Sequence, residues 1–255
     1  MVNTFRWAVW RRRAAAAILL LAPWTLGAQS APLPPARDVI SRHVAAIGGA
    51  TAFKAISSMR VRGRFEMTGQ NISAEFEALA ARPDKMLMRA DIPAIGHTEQ
   101  GYNGTVAWTV DPQSGPRLLK DRERDEVIAD ADFDAALHLP NRVKSMTTTD
   151  QVTFDNRPAY KVNVVLQSGV DQDEYFDVET GFEIGWEARR ATPLGVVPTT
   201  AVLRDYKKFG LIMQPTTLVQ KALFLEQILR VTSVEYDVVP ATAFDPPPSI
   251  KAMQQ

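Results

Sequence analysis

The chain has 255 residues, 45% of them hydrophobic, with 29 basic and 29 acidic side chains and no cysteine. The missing cysteine excludes a disulfide framework and any thiolate metal site. The balanced charge excludes nucleic-acid binding by bulk electrostatics.

The first segment has the order of a secretory leader. Arg6 and Arg11-Arg12-Arg13 make a basic start, Ala14 to Ala22 an apolar stretch, and Leu26-Gly27-Ala28 a small-residue cleavage site. The apolar run is roughly half the 20 or so residues that a spanning helix needs. A signal peptide over residues 1–28, cut near Ala28, is therefore the expectation, with a periplasmic destination. Cleavage removes four arginines and leaves 25 basic against 29 acidic residues, so the mature domain is mildly acidic. It also leaves only Trp108 and Trp186 of the tryptophans. With no cysteine after the cut, a lipid anchor is excluded. Residues 29–36 read as a flexible tether and 37–250 as a single domain, a length at which all-β domains are often undivided.

Arg37 to Ile47 predicts a helix, with Val39, Ile40, His43, Val44 and Ile47 at three- and four-residue steps and Gly48-Gly49 as the stop. Ala50 to Ile56 predicts a second, short helix. Then the period changes to two. In Met59 to Met67 charged and uncharged residues alternate, the mark of a strand with one wet and one dry face. Strands follow at Ile72–Ala80, Met86–Ala90, His97–Tyr102, Thr105–Val110 and Pro116–Leu119, with a hairpin turn at Asn103-Gly104. Asp121 to Leu139 interrupts as one helix or two short ones. Strands resume over 143–155, 158–167, 172–178, 182–191, 197–208, 211–222 and 226–238. Phe244-Asp245-Pro246-Pro247-Pro248 closes the chain as neither strand nor helix interior. The pattern predicts a mainly β fold with α: a single, strongly curved antiparallel sheet of about eleven strands, an unclosed β-barrel covered by an N-terminal helix and inserted helices.

Motifs for chemistry are scarce. His43, His97 and His138 are far apart and no metal-ligand spacing links them; His43 reads as a core histidine, and His138 as a cation near a helix end. Asp130-Ala131-Asp132-Phe133-Asp134 begins like a calcium loop but lacks the glycine and glutamate that complete one, so it reads as a solvated helix face. Asp171-Gln172-Asp173-Glu174 reads as a turn with solvated charges. No nucleophile elbow occurs. A pair of carboxylates for glycoside cleavage needs no local motif and stays open, although only two tryptophans remain to build sugar platforms. No cofactor, no metal and no enzyme activity are expected.

Several segments in order resemble the Lol-type periplasmic lipoprotein carriers (LolA-like, with LolB and LppX as structural relatives). Ala81-Arg82-Pro83-Asp84-Lys85-Met86 resembles the family's Arg-Pro strand entry. Asn103-Gly104 through Trp108 to Pro112 resembles its Asp-Gly-to-Trp-to-Pro hairpin, with Asn103 in place of aspartate. Asp132 to Leu139 falls where the family inserts lid helices, Tyr175 to Phe182 resembles a later strand-turn-strand, and Phe244-Asp245-Pro246-Pro247 its closing Phe-x-x-Pro. The longer C-terminal strands depart from the pattern. The resemblance implies a lid-covered hollow that holds acyl chains, and gives Arg82 the role of lid latch. Phe65, Met67, Phe76, Met86, Met88, Trp108 and Trp186 are then the candidates for an apolar ligand-binding wall; filling a dry core is the other reading of each. The partners expected are lipoprotein or lipid acyl chains and envelope membrane proteins, met by a monomer with no spanning segment. The alternatives are an envelope protein-interaction module and a hydrolase with a motif-free site.

Overall fold

In the computed structural model the described residues are 32–254 apart from Ala94, Pro193 and Leu194. The expected leader lies outside them. From Leu33 onward the chain forms one compact unit. Pro35, which cannot donate a backbone hydrogen bond, stands just before α1 (Ala36–Ala46), and this helix buries Ala36, Val39, Ile40 and His43 on one stripe. Gly48 and Gly49 end it at φ 120° and 86°. A Cβ on Gly48 would stand 2.4 Å from the Leu211 carbonyl oxygen, so only glycine allows this close approach. A short α2 (Ala50–Lys54) follows and buries Phe53.

The alternating sequences become a meander. The strands of its first half are β1 (Ser58–Met67), β2 (Ile72–Ala81), β3 (Lys85–Ile92), β4 (Gly96–Tyr102), β5 (Ala107–Asp111) and β6 (Gly115–Leu118). Next come α3 (Asp121–Asp130) and a 3-10 turn at Ala135–Leu137. The second half holds β7 (Val143–Phe154), β8 (Arg157–Leu166), β9 (Asp171–Asp177), β10 (Glu183–Thr192), β11 (Gly195–Arg204), β12 (Lys207–Phe209), β13 (Ile212–Gln214), β14 (Thr217–Ala222) and β15 (Leu225–Tyr236). Thirteen of these form one antiparallel sheet in the order β6-β5-β4-β3-β2-β1-β15-β14-β11-β10-β9-β8-β7. The first and last strands pair at its centre, which joins the two halves. Its free edges are β6 and β7, which do not pair, so the barrel is unclosed. The segment carrying α3 runs from one free edge to the other.

The sheet exceeds the expected eleven strands, and two expected strands are broken. Residues 197–208 and 211–222 each look continuous in sequence. Asp205 has φ 58° and Pro215 has no amide hydrogen, so both runs leave the main sheet there. Asp205 holds the corner by accepting hydrogen bonds from Thr216 and Thr217. The intervening β12–β13 hairpin turns onto the helices instead. Ile212 packs with Ile47, Phe53 and Leu137, and the Met213 amide donates to the Ile47 carbonyl at 2.9 Å.

Strand register sorts the two faces. Phe65 sits beside Ala74 and Leu229, Met88 beside Ala78, and Met86 beside Ala80 and Tyr102. This inner face is covered by α1, whose Val39 and Ile40 pack on Val162, Val164 and Phe176, and by α3, whose Val127 packs near Tyr102 and Ala107. The outer face carries Arg62, Glu77 and Arg89 as an ion-pair cluster. The chain end crosses that face, where a 3-10 turn (Ala241–Phe244) and α4 (Pro248–Lys251) set Phe244 and Ile250 over Leu79, Leu87 and Trp108.

Candidate functional site: a cavity on the inner face

The helical segment between the free edges is held by side chains that stand in for a strand. β9 pairs with β10 only as far as Gln172 opposite Ala188, so it does not reach Arg189 to Ala191. Glu126 of α3, almost fully buried, fills the gap by accepting from the Ala191 amide at 2.9 and 3.1 Å. Arg122 donates to the Arg189 carbonyl, and Arg190 bonds to Asp130.

The acidic run that starts at the end of α3 is paired as well as partly solvated. Each of its aspartates meets an arginine: Asp130 meets Arg190, Asp132 lies 3.6 Å from Arg142, and Asp134 lies 2.5 Å from Arg82. Arg82 also donates to the carbonyls of Ile56 at 2.7 Å and Phe53 at 2.8 Å, and its guanidinium sits over the Phe133 ring. One side chain therefore joins the end of α2, the turn after β2 and the segment after α3.

Beneath this segment, against β8, β9 and β10, is a cavity of about 440 Å³. Ile128, Ala135, Val143, Leu166, Val170 and Trp186 give it apolar walls. His138, Gln172, Glu174 and Glu183 give it a polar floor. His138 takes a left-handed conformation (φ 47°) at the end of the 3-10 turn, which turns its ring toward β9. Its Nε2 lies 2.6 Å from Glu174 Oε2, and Gln172 donates to Glu174 Oε1 at 2.7 Å.

Burial and charge set the protonation states. Burial alone would lower the His138 pKa, but the Glu174 carboxylate outweighs it and holds His138 up at about 9. Burial would raise Glu174, and the imidazolium overcomes that, so its pKa is lowered. For Glu183, burial and the Glu174 carboxylate push the same way, to about 8, with His138 offsetting only part. His43 is lowered to about 4 by burial and by the charge on His138. At neutral pH the floor thus holds one ion pair and a protonated Glu183, and His43, which accepts from the Glu183 amide, is neutral.

Glu183 is held firmly. It stands at a bulge, where the β9–β10 register shifts between Glu183 and Gly185; bulges re-aim side chains in this way. Its amide donates to His43 Nδ1 at 3.2 Å, and its carbonyl accepts from the Tyr206 hydroxyl at 2.8 Å. A Cβ on Gly185 would stand 2.1 Å from the Ala201 carbonyl oxygen, so glycine is required there. The Glu183 carboxyl itself faces the cavity and makes no hydrogen bond among the described residues.

The predicted wall residues are scattered. Of the seven, Trp186 alone lines the cavity. Phe65, Met67, Phe76, Met86 and Met88 share the inner face but lie outside the cavity lining; Phe76 is buried, Met86 packs against the α3 cluster, and the others are partly exposed. Trp108 departs from the expectation. It sits beside Gly101, which places it with Leu87 and Leu79 on the outer face, fully buried beneath the chain end. Sequence reading missed the floor. Asp171 to Glu174 begins β9 rather than forming a turn, and Glu174 is buried. The alternation of Gln172, Glu174 and Phe176 is the signal that could have found it, since it puts polar residues on an inward face. His97 is exposed and pairs with Asp91. Among the described residues no group of three or more histidine and acidic side chains could hold a metal, and no helix is long and apolar enough to cross a membrane.

The architecture is an unclosed antiparallel barrel whose open side is bridged by a helical segment that Arg82 ties to α2 and the turn after β2. No protein-family model and no curated protein matches this chain. Solved structures do. A DUF1329 family protein from Desulfovibrio piger aligns with a TM-score of 0.56 at 12% identity, covering 84% of this chain and 98% of that one. A LolA superfamily protein from Nitrosomonas europaea gives 0.55 at 13%, covering 84% and 99%. A candidate outer membrane lipoprotein-sorting protein domain from Vibrio parahaemolyticus gives 0.53 at 9%, covering 86% and 97%. The fold of this chain is LolA-like.

Proposed function

We propose that this chain is a periplasmic carrier or binder of lipoprotein acyl chains or other hydrophobic ligands, which it holds without covalent chemistry beneath the latched segment. The observation that carries this reading is the cavity itself, partly apolar and roofed by a segment that Arg82 fastens. Its volume of about 440 Å³ lies within the range of small-molecule sites. Each CH₂ moved from water to an apolar wall contributes about 0.8 kcal/mol, so a chain of several carbons suffices for binding. Release of the segment would extend the cavity toward Phe65, Met67, Phe76, Met86 and Met88, where methionine suits chains of variable shape. The basic, apolar, small-residue order of residues 1–28 supports an exported protein.

A photo-crosslinking fatty acid tests the reading. Crosslinks are expected on peptides carrying Val143, Leu166 and Trp186. Crosslinks confined to the outer face, or none, would contradict it. A second reading, hydrolysis, is favoured by the raised pKa of Glu183 beside the Glu174 carboxylate. Under the carrier reading, an acyl ester incubated with the protein is recovered with its mass unchanged; release of free acid would favour the hydrolase.

A further inference from the structure

Resting on the acyl-binder reading, we propose that Glu183 is the polar anchor of the cavity: its carboxyl group donates a hydrogen bond to the carbonyl oxygen of an ester- or amide-linked acyl ligand whose chain runs along Trp186. The ligand class is therefore acyl carbonyl compounds, not plain hydrocarbon.

The geometry around Glu183 is that of a prepared site. A bulge aims the side chain at the cavity. Three separate elements hold its backbone: His43 of α1 takes the amide hydrogen, Tyr206 ahead of β12 donates to the carbonyl, and Gly185 allows β11 to close in behind. The other ionisable groups on the floor are already paired. Glu174 has His138 and Gln172, and His138 has Glu174 and the Ala136 carbonyl. The Glu183 carboxyl faces the cavity with no hydrogen-bond partner among the described residues. Glu183 is half-buried and its carboxyl is open to the cavity, so a ligand acceptor seated there can take its hydrogen bond. Because the carboxyl is protonated at neutral pH, the group it lacks is an acceptor. Trp186, three residues along the same strand, offers the adjoining apolar surface.

The groups facing Glu183 define its pH behaviour. They are neutral His43 from α1, the His138 cation from the end of the 3-10 turn, the Glu174 carboxylate from β9 and the Tyr206 hydroxyl. Above about pH 8 Glu183 ionises and ceases to donate. His138 loses its proton near pH 9, so an alkaline effect must be assigned by a variant rather than by pH alone.

The test is displacement of diphenylhexatriene, a fluorescent apolar probe, by methyl palmitate and by hexadecane, at pH 6 to 10. Wild type should favour the ester over the alkane by roughly three- to tenfold, the worth of one hydrogen bond, and lose that preference above about pH 8. Glu183→Gln, whose amide still donates, should keep the preference at every pH. Glu183→Leu should bind both ligands without preference. An ester preference that persists in Glu183→Leu, or in wild type at pH 10, overturns the anchor while leaving the carrier reading intact. Failure of either ligand to displace the probe from any form overturns both. Should Glu183→Leu not fold, the wild-type and Glu183→Gln pH series decides the matter.

Discussion

Glu174 and His138 lie 36 residues apart and meet as a buried ion pair. Two charges taken out of water are costly to hold, and removing one partner leaves the other uncompensated. His138→Leu is therefore expected to lower the unfolding free energy by about 3–5 kcal/mol, the cost of breaking a buried pair, as measured by urea titration. The pH dependence has a definite sign. His138 has a folded pKa near 9 against an ordinary 6.5, so its stabilisation is complete below about pH 6.5 and is lost as pH rises through 9. Glu183, near 8 against an ordinary 4.5, acts in the same direction between those values. His43, lowered from 6.5 to about 4, acts oppositely: its contribution is present above pH 6.5 and is lost as pH falls toward 4. Stability should thus fall from pH 6.5 to 9, and Glu183→Gln should flatten the part of that fall below pH 8. A fall of equal size in Glu183→Gln would mean that Glu183 is not protonated in the folded protein. None of these contacts was legible in sequence, because the residues that meet at and behind the floor come from α1, the 3-10 turn, β9 and β10. His43 could be read as buried from its helical stripe, but its neighbours could not.

At the scale of elements, α3 acts as a surrogate edge strand. Glu126 supplies the acceptor that β9 is too short to provide. Glu126→Ala would leave the Ala191 amide and the neighbouring Arg190 short of a partner. The expected cost is about 1–3 kcal/mol, with faster hydrogen exchange at Ala191 while the exchange of β1 and β15 is unchanged. A second element-level test is Gly185→Ala. The added Cβ would meet the Ala201 carbonyl at 2.1 Å and the Phe154 ring at 2.5 Å, so β10 or β11 must shift. Overpacking of this kind costs about 1–3 kcal/mol, and thermal denaturation would show it. Elements with a strict local period were legible: the alternation from Met59 to Met67 and the stripe of α1 both fold as their patterns require. Breaks set by a single backbone angle were not. Asp205 carries no sequence mark of its positive φ, and Pro215 alone did not announce that a hairpin would leave the sheet. The Asp130–Asp134 run looked solvated because its arginines lie far off, at positions 82, 142 and 190.

For the whole molecule, the curved antiparallel sheet followed from counting strands and tight turns, since long meanders curl. The pairing of β1 with β15 was beyond that count. It determines that the unpaired edges are β6 and β7, and so that the helical segment must bridge them. Under the proposed function the bridge is the part that moves, and its ion pairs, being only partly buried, are weakened by salt. Arg82→Leu should speed hydrogen exchange across residues 131–139 and speed ligand exchange. It should lower the unfolding free energy by only about 1–3 kcal/mol, because the Arg82 side chain is 27% exposed. Unfolding of the whole domain would instead make Arg82 a purely structural residue. Native mass spectrometry of the protein purified from its own host without detergent decides whether it carries an acyl ligand. The expected spectrum shows the chain carrying one acyl compound, released chemically unchanged by solvent extraction and depleted in Arg82→Leu. A bare chain that also fails to take up fatty-acyl probes would contradict the account.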